Sequence, residues 1–469
     1  MIGTMNYLLL LALLPMAYPT QESLTSHTTP NVIIILTDDQ GYQDLGCYGS
    51  PDIKTPNLDL LASEGIRFTD FYVCSSVCSP SRAGLLTGRG PAKNGVGGVF
   101  FPKNKGMNSS EFTIAELLKQ NGYRTACFGK WHLGDEPGHL PLDQGFDEYF
   151  GIPYSNDMYI GPTQHFAAEV VFREGYDLEQ AKADQVFIEK YLFKRQKIKE
   201  QGLRDKCPLF EGNQIIEYPC EQSTLTQRYF DRTIKFIEAR DKEPFFVYLT
   251  PAMPHVPLFA SSTFEGKSEA GLYGDVIEEI DFQVGRLSKY LKEKGLDQNT
   301  IIIYTSDNGP WLGMKENAGR AAPLRAGKFT NYEGGLRVPC LMKWSAKWPA
   351  GKVSNSIVSS LDLFPTIAHY TKASLPDKAL DGQNIAKHLE RPNKVEARSS
   401  LFIYRKKEID GIRKGKWKFL PNSGARHIDE ASKPELFNLE KDVSESKNLY
   451  EQEEEIVKEL ENALRGGNH

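Results

Sequence analysis

The stretch Cys78–Arg82 brings a thiol, a proline and a permanent positive charge together within five residues. Proline suits the first turn of a helix, where its missing N–H costs no hydrogen bond. The sequence therefore predicts a helix N-terminus at Cys78, with a short apolar helix over Ala83 to Thr87 that ends at Gly88. Free N–H groups at such a terminus favour an anion, and Arg82 adds a charge that does not titrate. The pattern indicates chemistry on an anion, with a structural cysteine as the alternative.

Polar residues follow four predicted apolar strands. Each strand is rich in β-branched or aromatic residues, which is typical of a strand buried on both faces of a parallel sheet. In open α/β sheets, sites form beyond the carboxyl ends of the strands. The strands and the residues after them are Asn31–Leu36 with Asp38 and Asp39, Gly122–Gly129 with Lys130 and His132, Phe245–Leu249 with His255, and Ile301–Thr305 with Asp307 and Asn308.

These residue types suit a metal ion and an oxyanion. Three carboxylates and one amide carbonyl form the all-oxygen ligand set that Ca²⁺ or Mg²⁺ prefers, and the Cys/His spacing of a zinc site is missing. Two lysines, Lys130 and Lys328, lie with two histidines and Arg82 in the same set and suit a tetrahedral oxyanion. Taken singly, each pair is explained as well by a turn or a helix cap. Their convergence on one edge of a sheet favours a site.

Several strings carry a resemblance to a known family. Cys78–Arg82 resembles the signature of the formylglycine-dependent sulfatases, and Gly122–Gly134 is similar to the second signature of that family at every fixed position. Ser155, within Gly151–Met158, and Lys328 match further strings of the arylsulfatase-A-like branch. The resemblance runs from about residue 31 to residue 465, nearly the whole chain.

The resemblance implies a sulfuric ester hydrolase with an alkaline-phosphatase-like fold. Its substrate would be a sulfated carbohydrate or an aryl sulfate, and a formylglycine-generating enzyme would convert Cys78 into formylglycine during maturation. The hydrate of that aldehyde would attack sulfur, and a sulfo-enzyme intermediate would follow. The implied metal is Ca²⁺, in preference to Mg²⁺. Its ligands would be Asp38, Asp39, Asp307, Asn308 and the modified Cys78.

The resemblance also implies roles for the remaining polar residues. Arg82 would brace the formylglycine, and His132 is placed as the base that takes a proton from its second hydroxyl. The acid that protonates the leaving oxygen would be His255 or Lys328, and the sequence leaves both open. The residues that would grip the sulfate are Lys130, Ser155, His255 and Lys328.

Two other functions remain to be weighed. A phosphatase, phosphonate hydrolase or phosphodiesterase of the same superfamily would share the strand-end aspartates. Many such enzymes hold two metals and use Thr or Ser as the nucleophile, so the complete cysteine signature at Cys78 argues against them. A binding protein with a decayed site is the other class, but no position of either signature is missing.

Composition and segment boundaries fix the broad organisation. The chain has 469 residues, of which 40% are hydrophobic and 25% charged, as in ordinary globular proteins. Its net charge of -5 and the lack of a basic stripe argue against nucleic-acid binding. We predict an α/β fold with a large mixed, mostly parallel sheet flanked by helices, and a small C-terminal antiparallel sheet. The predicted segments are a signal peptide over residues 1–20, a catalytic domain over 28–370 and a C-terminal subdomain over 371–469.

The N-terminus and the cysteines indicate export. The apolar run from Leu8 to Leu14 is too short to span a bilayer and is typical of a signal peptide, although no Lys or Arg precedes it. A buried N-terminal helix is the alternative, and no other stretch suggests a transmembrane segment. Seven cysteines leave one unpaired or modified, and Cys78 is the natural one. We expect a disulfide between Cys207 and Cys220.

A polar insertion separates the second signature from the next strand. Residues 160–222 hold one predicted helix, from about Leu178 to Lys199, and no recognisable chemistry. An exposed insertion near an active site often determines which substrate is accepted. The insertion is therefore expected to influence specificity.

Overall fold

The computed structural model describes residues 29–239, 242–427, 429 and 432–466. The predicted signal peptide lies outside the described residues. Among those residues, no helix combines the length and the apolar character needed to cross a membrane.

The strands are numbered in chain order. They are β1 Asn31–Thr37, β2 Ile66–Phe68, β3 Phe71–Tyr72, β4 Arg124–Gly129, β5 Glu148–Gly151, β6 His165–Phe172, β7 Leu209–Glu211, β8 Gln214–Tyr218, β9 Phe245–Thr250, β10 Thr300–Ser306, β11 Cys340–Lys343, β12 Lys352–Ser354, β13 Val358–Ser359, β14 Ser400–Arg405, β15 Glu408–Lys414, β16 Trp417–Leu420 and β17 Glu435–Asn438.

The α-helices are numbered in the same way. They are α1 Pro56–Ser63, α2 Cys78–Thr87, α3 Pro91–Asn94, α4 Ile114–Gln120, α5 Leu178–Lys190, α6 Arg195–Glu200, α7 Leu225–Glu238, α8 Gly271–Glu293, α9 Glu333–Leu336, α10 Leu363–Thr371, α11 Ala386–Glu390 and α12 Glu454–Gly466.

A mixed sheet of eleven strands forms the centre of the described chain, in the order β12-β2-β11-β10-β1-β9-β4-β5-β7-β8-β6. The five strands from β10 to β5 are mutually parallel, and antiparallel pairs join them to the flanking strands. All four predicted apolar strands lie in this parallel centre. The predicted fold class is confirmed.

The central strand β1 explains why helices cover both faces of the sheet. Each of its residues is buried, and successive side chains point to opposite faces. Val32 and Ile34 join one hydrophobic core, which includes residues of α4 and α10, whereas Ile33 and Ile35 join a second core with residues of α7 and α8. A continuous apolar run is therefore the sequence that a strand in this position requires.

The C-terminal part forms the predicted small antiparallel sheet. Strands β14 to β17 pair in chain order, and α12 packs Val457 and Leu460 against this sheet. Six buried charged residues lie where the sheet meets the main domain, and we call them the docking cluster. Its ion pairs join Lys418 to Glu333 (2.9 Å) and Glu445 (2.8 Å), and Asp70 to Arg413 (2.6 Å) and Arg337 (3.0 Å).

The insertion differs from its prediction. One helix was expected from Leu178 to Lys199, but the chain forms α5 and α6 with a turn between them. The side chains of Tyr191 and Leu192 pack against the core at this turn, so burial of these two residues accompanies the break in the helix. The single-helix prediction is therefore wrong.

The cysteines follow their predictions only in part. Cys127 and Cys340 are fully buried in the strands β4 and β11. The sulfur atoms of Cys207 and Cys220 lie 3.3 Å apart, and both thiols are free in this structure. The two residues are therefore in contact, but they do not form the expected disulfide bond.

Candidate active site

The ends of β1 and β10 place the carboxylates side by side. The two strands pair in parallel register up to Thr37 and Ser306, so Asp38 and Asp307 leave the sheet at the same level. The backbone N–H of Asp39 donates to Oδ1 of Asp307 (3.2 Å), and Nδ2 of Asn308 donates to Oδ1 of Asp39 (2.7 Å). Asp39 adopts a φ of 63°, which turns the chain sharply beyond the strand.

The helix α2 brings Cys78 to these carboxylates. The helix begins at Cys78 and is followed by Gly88, as predicted, with Gly88 in the left-handed region at φ 65°. Sγ of Cys78 lies 3.6 Å from Oδ1 of Asp38 and 3.5 Å from Nζ of Lys328. Burial raises the pKa of this thiol to about 12, so the unmodified side chain is a neutral thiol at pH 7.

A compact set of donor atoms results. One atom from each of Asp38, Asp39, Cys78 and His255 lies within 4.8 Å of the others, and all four residues are buried. Oδ1 of Asn308 is buried and has no hydrogen-bond partner among the described residues. Asp307 lies beside this set, through its bond to the N–H of Asp39, and its other carboxylate oxygen is held by Arg82. These residues present the oxygen atoms that a hard cation requires.

Three cations balance the three carboxylates. Nε of Arg82 donates to Oδ2 of Asp307 (2.9 Å), Nζ of Lys130 donates to Oδ2 of Asp38, and Nζ of Lys328 donates to Oδ2 of Asp39 (2.7 Å). Burial opposes ionisation of Asp38, but Lys130 and the other positive groups hold its pKa well below the usual range. Burial and the charge of Asp38 raise the pKa of Asp307 to about 6.

The two predicted histidines have different environments. Nε2 of His132 lies 3.1 Å from the carbonyl oxygen of Phe100 and therefore donates to it, while the buried Nδ1 has no partner among the described residues. Burial and the charge of Lys130 lower the pKa of His132. Nδ1 of His255 lies 2.6 Å from the carbonyl oxygen of Val256, and its Nε2 lies 3.7 Å from Oδ2 of Asp39.

Ser155 is buried in the loop that follows β5. Its hydroxyl donates to Oδ1 of Asp157 (2.6 Å) instead of contacting the carboxylates directly. The structure therefore gathers nine of the eleven predicted site residues into one group and leaves His132 and Ser155 next to it. We call this group the active-site cluster. Its members are Asp38, Asp39, Cys78, Arg82, Lys130, His255, Asp307, Asn308 and Lys328, with His132 beside Lys130 on the same loop.

Comparison with known families identifies the chain. The sulfatase family profile matches residues 30–373, and the profile described as N-sulphoglucosamine sulphohydrolase, C-terminal, matches residues 327–468. The chain belongs to the sulfatase family. This sulfatase is 38% identical over 449 residues to human arylsulfatase A, across 90% of this chain and 83% of the relative. It is a sulfuric ester hydrolase of the arylsulfatase type.

Solved structures agree with this assignment. The PsFucS1 sulfatase from Pseudoalteromonas sp. superposes with a TM-score of 0.78 at 28% identity, over 94% of this chain and 90% of that one. The structure of Ps i-CgsB in complex with k-i-k-neocarrahexaose has a TM-score of 0.72 at 32% identity, over 94% and 92% of the two chains.

Sequence reasoning missed residues of this sulfatase that hold the predicted ones in place. Oδ1 of Asn156 lies 3.2 Å from Nδ1 of His255, and Asn156 is itself fixed by a bond from its Nδ2 to the carbonyl oxygen of Pro257 (2.7 Å). The ring of Trp311 lies over Nζ of Lys328 at 5.2 Å. Asn156 follows Ser155 directly and Trp311 follows Asp307 by four residues, so adjacency to the motifs was the available signal.

Proposed function

We propose that this sulfatase hydrolyses the sulfate ester of a carbohydrate or an aryl alcohol, with formylglycine at position 78 and Ca²⁺ as its metal. One observation carries the proposal. Cys78 is buried at the start of α2, within 4.8 Å of donor atoms from Asp38, Asp39 and His255, and in contact with Lys328. In the sulfatase family, the cysteine of the first signature lies beside the metal ligands. The position of Cys78 next to two carboxylates and a lysine agrees with that role.

The charges of the cluster support a metal and an anionic substrate together. The carboxylates of Asp38, Asp39 and Asp307 cancel the charges of Arg82, Lys130 and Lys328. A divalent cation held by the carboxylates and by Oδ1 of Asn308 therefore leaves two positive charges, which suits an oxyanion. When bound, Ca²⁺ supplies Lewis-acid polarisation of the sulfate and lowers the pKa of a coordinated hydroxyl.

Each residue of the active-site cluster would then have its own role in the reaction. Formylglycine hydrate supplies a hydroxyl nucleophile in place of a thiol that burial keeps protonated. Lys130 and Lys328 hold the sulfate oxygens with permanent charges, and Arg82 fixes Asp307 and the carbonyl of Lys130. Nδ1 of His132, which has no hydrogen-bond partner among the described residues, is the atom that would accept a proton.

The leaving oxygen needs an acid, and two residues are placed for it. Nε2 of His255 and Nζ of Lys328 both reach Oδ2 of Asp39, at 3.7 Å and 2.7 Å. Either group could donate a proton on the same side of the cluster. Ser155, in the neighbouring loop, would also bind the sulfate.

A sulfated carbohydrate is the favoured substrate class. Ps i-CgsB, a structural relative at 32% identity, was solved with a neocarrahexaose, which is an oligosaccharide. Aryl sulfates remain useful reporters, because arylsulfatase A is a relative at 38% identity.

The test compares the turnover of a sulfate ester by the purified enzyme with the turnover of the phosphate ester of the same alcohol. We expect turnover of the aryl sulfate to exceed that of the aryl phosphate, to require Ca²⁺ and to be lost with a chelator. Peptide mass should show position 78 as an aldehyde. Two bound zinc ions with preferred phosphate turnover, or full activity with an intact thiol, would contradict the proposal.

Export is proposed on separate grounds. The predicted signal peptide over residues 1–20 should be absent from the mature protein, and the catalytic domain should begin near residue 28. Mass analysis of the N-terminal peptide from secreted material tests this. An intact Leu8–Leu14 run in the mature protein would contradict it.

A further inference from the structure

A cavity of about 280 Å³ lies beside the active-site cluster and is not used by the proposed chemistry. It is bounded by the loop after β5, by α6 of the insertion and by the loop after β10. Residues that line it include Phe101, Asp157, Arg195, Lys199, Arg204 and Trp311.

Two contacts connect this cavity to the residues that would bind the sulfate. The ring of Trp311 lies 5.2 Å from Nζ of Lys328 and 6.0 Å from the ring of His255, measured to ring centroids. Asp157, which also lines the cavity, accepts a hydrogen bond from the hydroxyl of Ser155. An alcohol whose sulfate is held by Lys328 and Ser155 would therefore extend into this cavity.

The walls of the cavity carry more positive than negative charge. Arg195, Lys199 and Arg204 contribute three cations, and only Arg204 reaches the carboxylate of Asp157, at 3.3 Å. Within the described part of the chain, Arg195 and Lys199 have no ion-pair partner. The guanidinium of Arg195 lies over the ring of Phe101 at 3.8 Å, which fixes its plane while leaving its N–H groups available.

We infer that this cavity is a specificity subsite for a second anionic group on the substrate, a carboxylate. The inference rests on the proposed function and narrows its substrate class to acidic oligosaccharides. Trp311 offers an apolar face for a sugar ring, and the cavity volume suits one ring more than an extended chain. Arg195 and Lys199 recognise the second anion by charge-assisted hydrogen bonds.

The test uses two disaccharides that differ in one charge. Both contain the same sulfated hexosamine, linked either to a uronic acid or to the matching neutral sugar. We expect wild-type kcat/KM to favour the acidic disaccharide about tenfold or more, mostly through KM, and to lose this preference at high salt. In the double variant Arg195→Gln, Lys199→Gln the preference should disappear.

Two controls separate this result from damage to the enzyme. Turnover of an aryl sulfate should be unchanged in the double variant, because neither residue contacts the active-site cluster. Lys197→Gln, on the same helix but over the ring of Tyr191, should keep the preference. Equal use of both disaccharides by the wild type, or a preference that survives in the double variant, overturns the inference. Failure to hydrolyse any sulfate ester, the aryl ester included, contradicts the proposed function and with it this subsite.

Discussion

The active-site cluster and the docking cluster hold the same charges in different ways. Each contains three carboxylates and three cations, and both are buried. In the docking cluster every charged group has an opposite charge within 3.0 Å. In and beside the active-site cluster, Oδ1 of Asn308 and Nδ1 of His132 have no hydrogen-bond partner in the described residues.

The difference shows which feature indicates a ligand. A balanced group of buried charges is compatible with a purely structural role, since buried ion pairs are tolerated when each partner is satisfied. Unpartnered buried polar atoms are rare in folded proteins and need an explanation. In the docking cluster, Oε1 of Glu445 also has no hydrogen bond among the described residues, but it lies 2.8 Å from Nζ of Lys418, so its charge is paired and the cluster is closed. The active-site cluster retains atoms that a cation and a substrate would satisfy. Four experiments test this contrast.

The largest effect should come from Cys78→Ala. Loss of the proposed nucleophile should reduce turnover of an aryl sulfate by at least about 10³-fold, while the free energy of unfolding changes by about 1 kcal/mol. Steady-state kinetics and thermal unfolding measure the two quantities. Cys127→Ala removes another buried thiol, in β4, and should retain turnover. Comparable activity of the two variants would refute the role of Cys78.

Lys418→Met should have the largest effect on stability. The substitution leaves Glu333 and Glu445 buried without their shared cation, so we expect a loss of about 3 to 5 kcal/mol in the free energy of unfolding, measured in urea. Lys414→Met, which breaks an exposed pair with Glu459, should cost no more than about 1 kcal/mol. Equal losses in the two variants would show that the docking cluster is not a closed structural unit.

Ca²⁺ should stabilise only through the active-site cluster. At a concentration 100 times its Kd, the ion should add about 2.7 kcal/mol to the free energy of unfolding of the wild type. Asp307→Asn should lose most of this gain, whereas Lys418→Met should keep it. Calcium titrations followed by thermal unfolding provide the measurement, and an undiminished gain in Asp307→Asn would argue against the proposed ligand set.

The smallest effect concerns pH. Burial and the charge of Glu333 raise the pKa of Glu445 to about 7 despite the nearby Lys418. Because the folded state holds this proton more tightly than the unfolded chain, Glu445 stabilises the fold fully below its unfolded pKa, and the contribution is lost as pH rises to about 7. Between about pH 6 and pH 8, the stability of Glu445→Gln should therefore rise relative to wild type.

The expected relative change is on the order of 1 kcal/mol. Thermal unfolding of both proteins across this pH range measures it. Glu440→Gln, an exposed neighbour in the same segment, should follow the wild type. A constant difference between Glu445→Gln and wild type would show that Glu445 does not titrate in this range.

The active-site cluster was largely predictable because its chemistry is local in sequence. The end of an apolar strand can be located from the sequence, because polar residues follow it. Parallel strands end at the same edge of a sheet, so the proximity of Asp38 and Asp307 could be predicted from the sequence. The docking cluster could not be predicted in this way. Lys418 lies in a strand with basic neighbours, a pattern typical of a solvated strand face, but it is fully buried and its Nζ donates to Glu333 of α9.

Other misses have the same physical origin. The break between α5 and α6 depends on which side chains reach the core, and periodicity over polar residues does not determine that. Trp311 carries no motif of its own, and its relation to Lys328 depends on the path of the loop after β10. Contacts between distant loops are set by tertiary packing.

The distance along the chain between partners of the active-site cluster sets a time scale for its assembly. Cys78 is synthesised early, but Asp307 and Lys328 follow more than two hundred residues later, and both are needed to close the cluster around it. At synthesis rates of about 5 to 20 residues per second, the thiol stays outside a complete cluster for roughly 10 to 50 seconds. An enzyme that carries out the proposed conversion of Cys78 would therefore have an interval set by the length of chain between Cys78 and Lys328, and slow translation of that stretch would lengthen the interval.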